Sequence, residues 1–236
     1  MRLVLCDENR IMCEALAAAM EAWGHQVVAI TTTAEQGIAA VGVHQPDAVV
    51  LEPRVPAGNG SAGAKAADAT RAWTDCGGAS QTGKLGVAEV MRARYPGTPV
   101  LVLSSFVNRA TWSAAMKMGV AGYLCKDRNI GQIAAALEVI AAGGVMFDPT
   151  VLSHVSLPPV SRRREGPHYQ LTPREKEVLR RLVAGQGTRQ MAHEMSVTID
   201  TLRGYVKNVL GKLGAHSRLQ AAALAAREDL LVELNA

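Results

Sequence analysis

This chain of 236 residues lacks the features of a membrane or secreted protein and has no cysteine-based metal site. It has no run of about 18 apolar residues, which excludes a transmembrane helix. The opening segment MRLVLCDENR is not a signal peptide, because acidic residues follow the apolar ones too soon. The four cysteines have neither metal-site nor disulfide-framework spacing, and three lie in apolar runs typical of core residues. We therefore expect a cytoplasmic protein with no membrane partner.

Charge is distributed unevenly along the chain. Residues 161–220 contain 12 Lys and Arg against 5 Asp and Glu, a net charge of +7, whereas the whole chain carries +4. The rest of the chain is therefore net acidic. This asymmetry is typical of an acidic module joined to a nucleic-acid-binding module, and the length suits two small domains.

The first 148 residues alternate between strand and helix patterns. Such alternation predicts an α/β fold with a parallel sheet covered by helices on both faces. The predicted strands are residues 3–6, 26–30, 48–51, 100–103 and 122–124, and the predicted helices include residues 11–23, 34–43, 109–118 and 130–142.

Polar residues stand at the carboxyl ends of these strands, where ligands bind in this architecture. They are Asp7, Glu8, Glu52, Ser104 and Lys126. Together with the motifs PDAVVLEPRVPAGNG and GYLCKD, these positions resemble the receiver domain of bacterial response regulators. The resemblance implies that residues 1–148 form a flavodoxin-like, doubly wound (βα)5 domain that acts as a phosphorylation switch.

The same resemblance implies a role for each pocket residue. Asp7 and Glu8 match the acidic pair that binds Mg²⁺, so Mg²⁺ is a candidate ligand, although no cofactor is required for DNA binding. Ser104 and Lys126 match the hydroxyl and the amine that contact the phosphoryl group. Tyr123 matches the aromatic switch residue.

The position of the phosphoryl-accepting Asp is occupied by Glu52. A Glu carboxylate lies one methylene further from the backbone, and a misplacement of about 1 Å can slow an in-line transfer about a hundredfold. The longer side chain can instead reach Lys126 and fill the phosphoryl site. Glu52 then either imitates activation by permanent charge beside Ser104 or only neutralises Lys126. Residual phosphorylation is a third interpretation, because the other pocket residues are retained.

Two segments depart from the receiver pattern. Residues 61–83 form an insertion rich in Ala, Gly, Ser and Thr, which predicts a flexible surface loop. Trp73 within it could instead pack over the pocket or meet a partner. Residues 149–170 contain Pro158–Pro159 and the basic triplet 162–164, and they predict a linker between two domains.

Residues 171–236 have the pattern of a helical DNA-binding domain. Thr172 and Pro173 suit the start of a helix, because Thr caps free N–H groups and Pro fits the first turn. Gly185 and Gly187 predict its end. Further helices are predicted at residues 188–195 and 199–213, and the second of them should bury Leu202, Val206, Val209, Leu210 and Leu213.

The opposite face of the 199–213 helix suits a DNA major groove. Arg203 and Lys207 lie one turn apart and can donate to guanine acceptors, although a solvated polar face is the ordinary alternative. The motifs LTPREKEVL and KNVLGKLGAHSR resemble the NarL/LuxR-type (FixJ-like) output domain, an all-α helix-turn-helix domain. The resemblance implies the following DNA contacts: Arg203, Gly204 and Lys207 to bases, Thr201 and Asn208 to the backbone, and Thr188 as a further candidate.

The chain departs from that output domain at a few positions. Gly187-Thr188 stands where the family commonly has Ser-Asn, and Tyr205 where it has His. The reading helix also begins with Ile199-Asp200, which suggests an unusual sequence preference. The excess of Arg over Lys and the abundance of Ala are what GC-rich coding produces, as in actinomycetes.

These observations predict a dimeric transcription regulator that binds double-stranded promoter DNA at an inverted repeat and acts with RNA polymerase. Two alternatives stay open at this point. The chain could be the heterodimeric partner of another response regulator, or a phosphorylation-dependent regulator with a cognate kinase. No second set of catalytic residues is present in the sequence, so we do not expect an enzyme.

Overall fold

Six parallel strands form the centre of the N-terminal domain, in the order β2-β1-β3-β4-β5-β6. The computed structural model describes residues 1–56, 86–105, 109–148 and 169–227. The predicted 61–83 insertion with Trp73, and nearly all of the predicted linker, therefore lie outside the described residues. The strands are β1 (Arg2–Cys6), β2 (Gln26–Thr31), β3 (Ala48–Leu51), β4 (Val100–Ser104), β5 (Gly122–Cys125) and β6 (Met146–Phe147).

Helices cover both faces of this sheet, which confirms the predicted doubly wound α/β fold. They are α1 (Arg10–Ala22), α2 (Ala34–His44), α3 (Gly86–Arg94), α4 (Arg109–Met118) and α5 (Ile130–Ala141). The prediction of five strands was incomplete, because β6 adds a short sixth strand beside β5. Its two residues are too few to show an alternating pattern in the sequence.

The alternation of side chains along the buried strands explains why helices pack in two layers, one on each face of the sheet. Successive side chains of a strand point to opposite faces of the sheet. In β1, Leu3 and Leu5 pack with residues of α1 and α5, whereas Val4 and Cys6 pack with residues of α2, α3 and α4. All four side chains are buried, as expected for a central strand.

The C-terminal domain consists of α6 (Pro173–Val183), α7 (Thr188–Glu194), α8 (Ile199–Leu213) and α9 (Arg218–Arg227) within its described residues. The predicted start of α6 is confirmed by a capping box, in which Thr172 Oγ1 accepts from Glu175 N (3.3 Å) and Glu175 Oε2 accepts from Thr172 N (2.7 Å). Helix α8 ends at Gly214, which has a φ of 62°. The core-facing residues of α8 are buried as predicted, except that Leu210 is half-buried.

The two domains are in direct contact. Ser217 Oγ, just before α9, donates to the carbonyl oxygen of Met116 in α4 (2.8 Å). Arg218 Nη1 donates to the carbonyl oxygen of Gly143 (3.0 Å). The backbones also approach closely, because a Cβ added at Gly187 would overlap the carbonyl oxygen of Ala142.

Within the described parts of the chain, the helices are too short or too polar to span a bilayer.

Candidate functional site

Four of the five predicted pocket residues share the carboxyl edge of the sheet. Asp7 follows β1, Glu52 follows β3, Ser104 ends β4 and Lys126 follows β5. The side chains of Asp7, Glu52 and Ser104 are buried, with Glu52 only 2% exposed. The parallel order of the strands thus collects residues that lie up to 119 positions apart in the chain.

Lys126 connects the two buried carboxylates of this pocket. Its Nζ donates to Asp7 Oδ2 and lies 2.9 Å from Glu52 Oε2. The contact with Glu52 is an ion pair. Glu52 therefore reaches Lys126, as its extra methylene predicts. Burial would lower the pKa of Lys126, but the hydrogen bond with Asp7 and the charge of Glu52 outweigh it and raise the pKa, so the amine stays protonated.

A second cation, which the sequence did not predict, flanks Glu52. Arg54 Nε lies 3.5 Å from Glu52 Oε1, whereas the ion pair with Lys126 is made by Oε2. The Glu52 carboxylate is therefore held between a guanidinium and an ammonium group. A cation two residues after the acidic position, within the motif LEPR, is the only sequence signal for this contact.

Tyr123 on β5 is fully buried beside the pocket. Its hydroxyl shares a hydrogen bond of 3.2 Å with Thr111 Oγ1 and another with Ser104. Burial raises the pKa of Tyr123, and the two hydrogen bonds oppose this only in part, so the phenol stays neutral. Its ring meets Trp112 edge-on at a centroid distance of 5.4 Å. The residues Thr111 and Trp112 of this network were not predicted.

Glu8, the fifth predicted pocket residue, follows Asp7, and its side chain is exposed to solvent. Asp7 and Glu52 each direct an oxygen at the Lys126 ammonium group, which lies where a shared cation would have to lie. No three His, Cys, Asp or Glu side chains converge as a metal site anywhere in the described ranges. Lys126 occupies this arrangement, and Mg²⁺ binding stays a prediction.

The predicted DNA-facing residues of α8 form an exposed face. Thr201, Arg203, Gly204, Lys207 and Asn208 are all exposed. The face is held by its N-cap, where Thr198 Oγ1 accepts from Thr201 N (3.1 Å). Arg203 Nη1 contacts Asp200 Oδ1 at 2.9 Å, in a solvent-exposed pair that contributes little stability.

Gly204 has no packing reason to be glycine. A Cβ at this position would meet no atom within 4 Å, and its φ lies outside the left-handed region. Glycine inside a helix costs about 1 kcal/mol relative to alanine. The missing side chain therefore leaves a flat stretch of helix surface between Arg203 and Lys207, which favours close approach of another molecule.

Thr188, at the start of α7, has a different environment. Its side chain is half-buried, and its Oγ1 accepts from Arg218 Nη1 (2.8 Å). The same Nη1 reaches Gly143 of the N-terminal domain. The structure thus places Thr188 at the contact between the two domains.

Comparison with known proteins agrees with both halves of this description. Residues 169–225 match the family described as "Bacterial regulatory proteins, luxR family". The chain is 30% identical over 234 residues to the probable transcriptional regulatory protein NarL of Mycobacterium tuberculosis. This alignment covers 98% of this chain and 95% of that protein. It is 25% identical over 242 residues to the transcriptional regulatory protein LnrK of Bacillus subtilis, with 98% and 99% covered.

The fold as a whole also has a solved counterpart. A structure of two RcsB dimers bound to two parallel DNAs covers 96% of this chain, and 98% of the RcsB chain is matched, with a TM-score of 0.51. The sequence identity is 17%, so this likeness concerns the fold alone.

Proposed function

Because this chain belongs to the LuxR/NarL-type response regulators, which are DNA-binding transcription regulators and not enzymes, we propose that it regulates transcription without phosphorylation of an Asp. Glu52 occupies the acceptor position and supplies a fixed negative charge. The observation that carries this proposal is the burial of the Glu52 carboxylate between Lys126 and Arg54.

The charge balance of the pocket supports the proposal. Two carboxylates, Asp7 and Glu52, face two cations, Lys126 and Arg54. A phosphoryl group would add nearly two further negative charges to a site whose cations are already paired. Uncompensated charge in a buried site is costly, so the pocket favours its present occupant over an added phosphate.

The hydroxyl network around Tyr123 supports a receiver domain that adopts its switched conformation without a phosphoryl group. Tyr123 is buried and bonded to Ser104 and Thr111 by side chains of the chain itself. The contact between Ser104 and the aromatic residue therefore needs no phosphoryl group to draw it together. Glu52 lies close enough for its charge to act on the Tyr123 hydroxyl.

The DNA-binding role follows from α8. We propose that Arg203, Gly204 and Lys207 read base edges and that Thr201 and Asn208 contact the backbone, with Thr188 as a further contact once Arg218 releases it. RcsB, of the same fold, is known as dimers on DNA. This supports a homodimer on an inverted repeat, with RNA polymerase as the machinery that it affects.

Retention of Asp7, Ser104 and Lys126 at one edge of the sheet favours one alternative, a regulator that still depends on phosphorylation. A second alternative is that the chain acts as the heterodimeric partner of another response regulator. The test below also distinguishes this alternative from the proposal.

The test is operator binding by the natural protein and by Glu52→Asp, each with and without acetyl phosphate and Mg²⁺. The operator is obtained by genome-wide pull-down. The matched control is Glu14→Asp, the same substitution at an exposed position of α1. We expect the natural protein and the control to bind equally with and without the donor, and their masses to stay unchanged. Glu52→Asp should gain a phosphoryl group.

Two results would contradict the proposal. Donor-dependent binding by the natural protein, together with a phosphoryl adduct in its mass spectrum, would establish the phosphorylation-dependent alternative. Tight operator binding only in the presence of a second regulator would establish the heterodimer.

A further inference from the structure

A cleft of about 980 Å³ lies between the two domains, at the edge of the sheet opposite the Glu52 pocket. Its N-terminal wall is formed by the segments that precede β4, β5 and β6, including Pro99, Ala121 and Gly144. Its C-terminal wall includes Ile199 and Leu210 of α8. The volume is that of sites for small organic ligands.

The cleft is lined by cations from both domains. Arg92 and Lys117 come from the N-terminal domain, and Arg189, Arg203 and Arg218 from the C-terminal domain. His216 lies among them, and none of the described residues lining the cleft is an Asp or Glu. Arg203 is paired with Asp200, which lies outside the lining (2.9 Å), but the four other cations have no acidic residue in the lining, so the cleft has a positive potential.

Two of these cations, Arg92 and Arg218, are half-buried, and among the described residues neither pairs with a carboxylate. Burial lowers the pKa of Arg92, and burial together with repulsion from Arg203 lowers the pKa of Arg218. Among the described residues, Arg218 donates to two neutral oxygens, those of Gly143 (3.0 Å) and Thr188 (2.8 Å). Desolvated guanidinium groups are costly when they lack an anion, so an anionic ligand would relieve this cost.

The rest of the lining is apolar in part. Pro96, Met118, Ile199 and Leu210 lie beside the cations, and Ile199 is one of the few large apolar side chains exposed in the described parts of the chain. The N-terminus of α9 also faces the cleft through Arg218 and Leu219, and a helix N-terminus favours an anion. The lining therefore suits a ligand with a negatively charged end and an apolar, ring-like body.

We propose that this cleft binds a nucleotide-like organic phosphate, whose phosphates contact Arg92, Lys117 and Arg218 and whose ring packs on the apolar wall. The bound phosphates bridge cations of both domains and hold the domains together. Because Arg203 lines the same cleft, the ligand competes with DNA for that side chain. This last step rests on the proposed DNA-reading role of Arg203, whereas ligand binding itself does not.

The test uses the full chain and ATP as the probe, in Mg²⁺-free buffer, with binding measured by calorimetry in the absence of DNA. Adenosine and inorganic triphosphate are the comparison probes. ATP should bind more tightly than triphosphate, which lacks the ring, and adenosine should bind weakest. The double variant Arg92→Gln/Lys117→Gln should weaken ATP binding about tenfold or more, as expected for lost contacts to charged groups.

The matched control is Arg10→Gln/Arg94→Gln, which removes the same charge from exposed residues of the same domain that do not line the cleft. It should leave ATP binding unchanged. If the double variant does not fold, Lys117→Gln alone replaces it, because a substitution at this exposed position should not disturb folding. The single variant should also weaken ATP binding. The proposal is wrong if ATP does not bind at millimolar concentration, if adenosine or triphosphate binds as tightly, or if the double variant binds ATP like the natural protein.

A separate measurement addresses competition with DNA. ATP should raise the operator Kd of the natural protein and have a much smaller effect on the double variant. If ATP binds as expected but leaves the operator Kd unchanged, the proposed role of Arg203 fails while the ligand site stands. Neither measurement involves acetyl phosphate, so their outcome is independent of the proposal for Glu52.

Discussion

Lys126 Nζ lies 2.9 Å from Glu52 Oε2, and this ion pair joins the end of β5 to the end of β3 across the end of β4. Ser104 is the last residue of β4, so the pair spans the strand that carries the pocket hydroxyl. Lys126 also donates to Asp7 beyond β3, at the end of β1. One ammonium group therefore links the carboxyl ends of strands on both sides of β4.

The first prediction concerns the charge balance of this pocket. Lys126→Met should lower the free energy of unfolding by about 3–5 kcal/mol, because it leaves Asp7 and Glu52 buried without their shared cation. The measurement is urea unfolding followed by circular dichroism at neutral pH. The matched control is Lys117→Met at an exposed position, expected to change stability by less than about 0.5 kcal/mol. Equal effects of the two variants would mean that Lys126 does not compensate buried charge.

The second prediction concerns sequence reading by α8. Arg203→Ala and Lys207→Ala should each weaken operator binding by about 1–3 kcal/mol and weaken binding to random DNA much less. The measurement is a pair of titrations at one fixed salt concentration, since affinity for DNA depends strongly on salt. Arg94→Ala, exposed on α3, removes the same charge outside the DNA-binding domain and should leave both affinities nearly unchanged. Equal losses on operator and random DNA would reassign Arg203 and Lys207 to phosphate contacts.

The third prediction concerns the pH dependence of stability. Lys212 Nζ lies 2.6 Å from Glu175 Oε2, in the capping box of α6. Burial would raise the pKa of Glu175, but the hydrogen bonds from Lys212 and Thr172 outweigh it and lower the pKa below its ordinary value. Since the pKa is lower in the folded state, the ionised carboxylate stabilises the fold above the ordinary pKa of a Glu. That stability is lost as the pH falls through the lowered pKa.

Glu175→Gln should therefore destabilise the protein by about 2 kcal/mol at neutral pH, the typical value for hydrogen bonds to a charged group. The difference from the natural protein should shrink progressively in acid, below the ordinary pKa of a Glu. Thermal unfolding of both proteins across this pH range provides the measurement. Glu89→Gln, at an exposed position of α3, is the control and should show no such dependence. A constant difference at all pH values would exclude the ionised carboxylate as the source.

Much of the fold could be predicted because its signals are local. Thr172 and Pro173 specify the start of α6 through caps that involve residues three positions apart. Gly214 ends α8 because the left-handed conformation suits glycine. The buried strands β1, β3 and β4 are short apolar runs bounded by polar residues. The reach of Glu52 to Lys126 could also be predicted, since it follows from strand order and side-chain length.

The other parts of the fold and of the site depend on contacts between residues far apart in the sequence, which no local pattern predicts. Glu8 is adjacent to Asp7 in the sequence, but its side chain is exposed whereas that of Asp7 is buried, a difference that the sequence does not reveal. The second cation at Glu52, Arg54, depends on the path of the loop after β3. Ser217 and Met116 are 101 positions apart and meet only because the domains dock. The cationic cleft between the domains arises from the same docking, so its residues are scattered along the chain.

The Glu52 pocket and the contact with the DNA-binding domain lie at opposite ends of the same strands. A strand of five residues such as β4 spans about 16 Å. Changes at sites more than about 10 Å apart usually add in free energy when the sites share no partner. The N-terminal domain therefore has two spatially separate sites, one at each end of its strands. On the proposal that Glu52 replaces phosphorylation at one end, the docking surface at the other end offers a separate place for a different input.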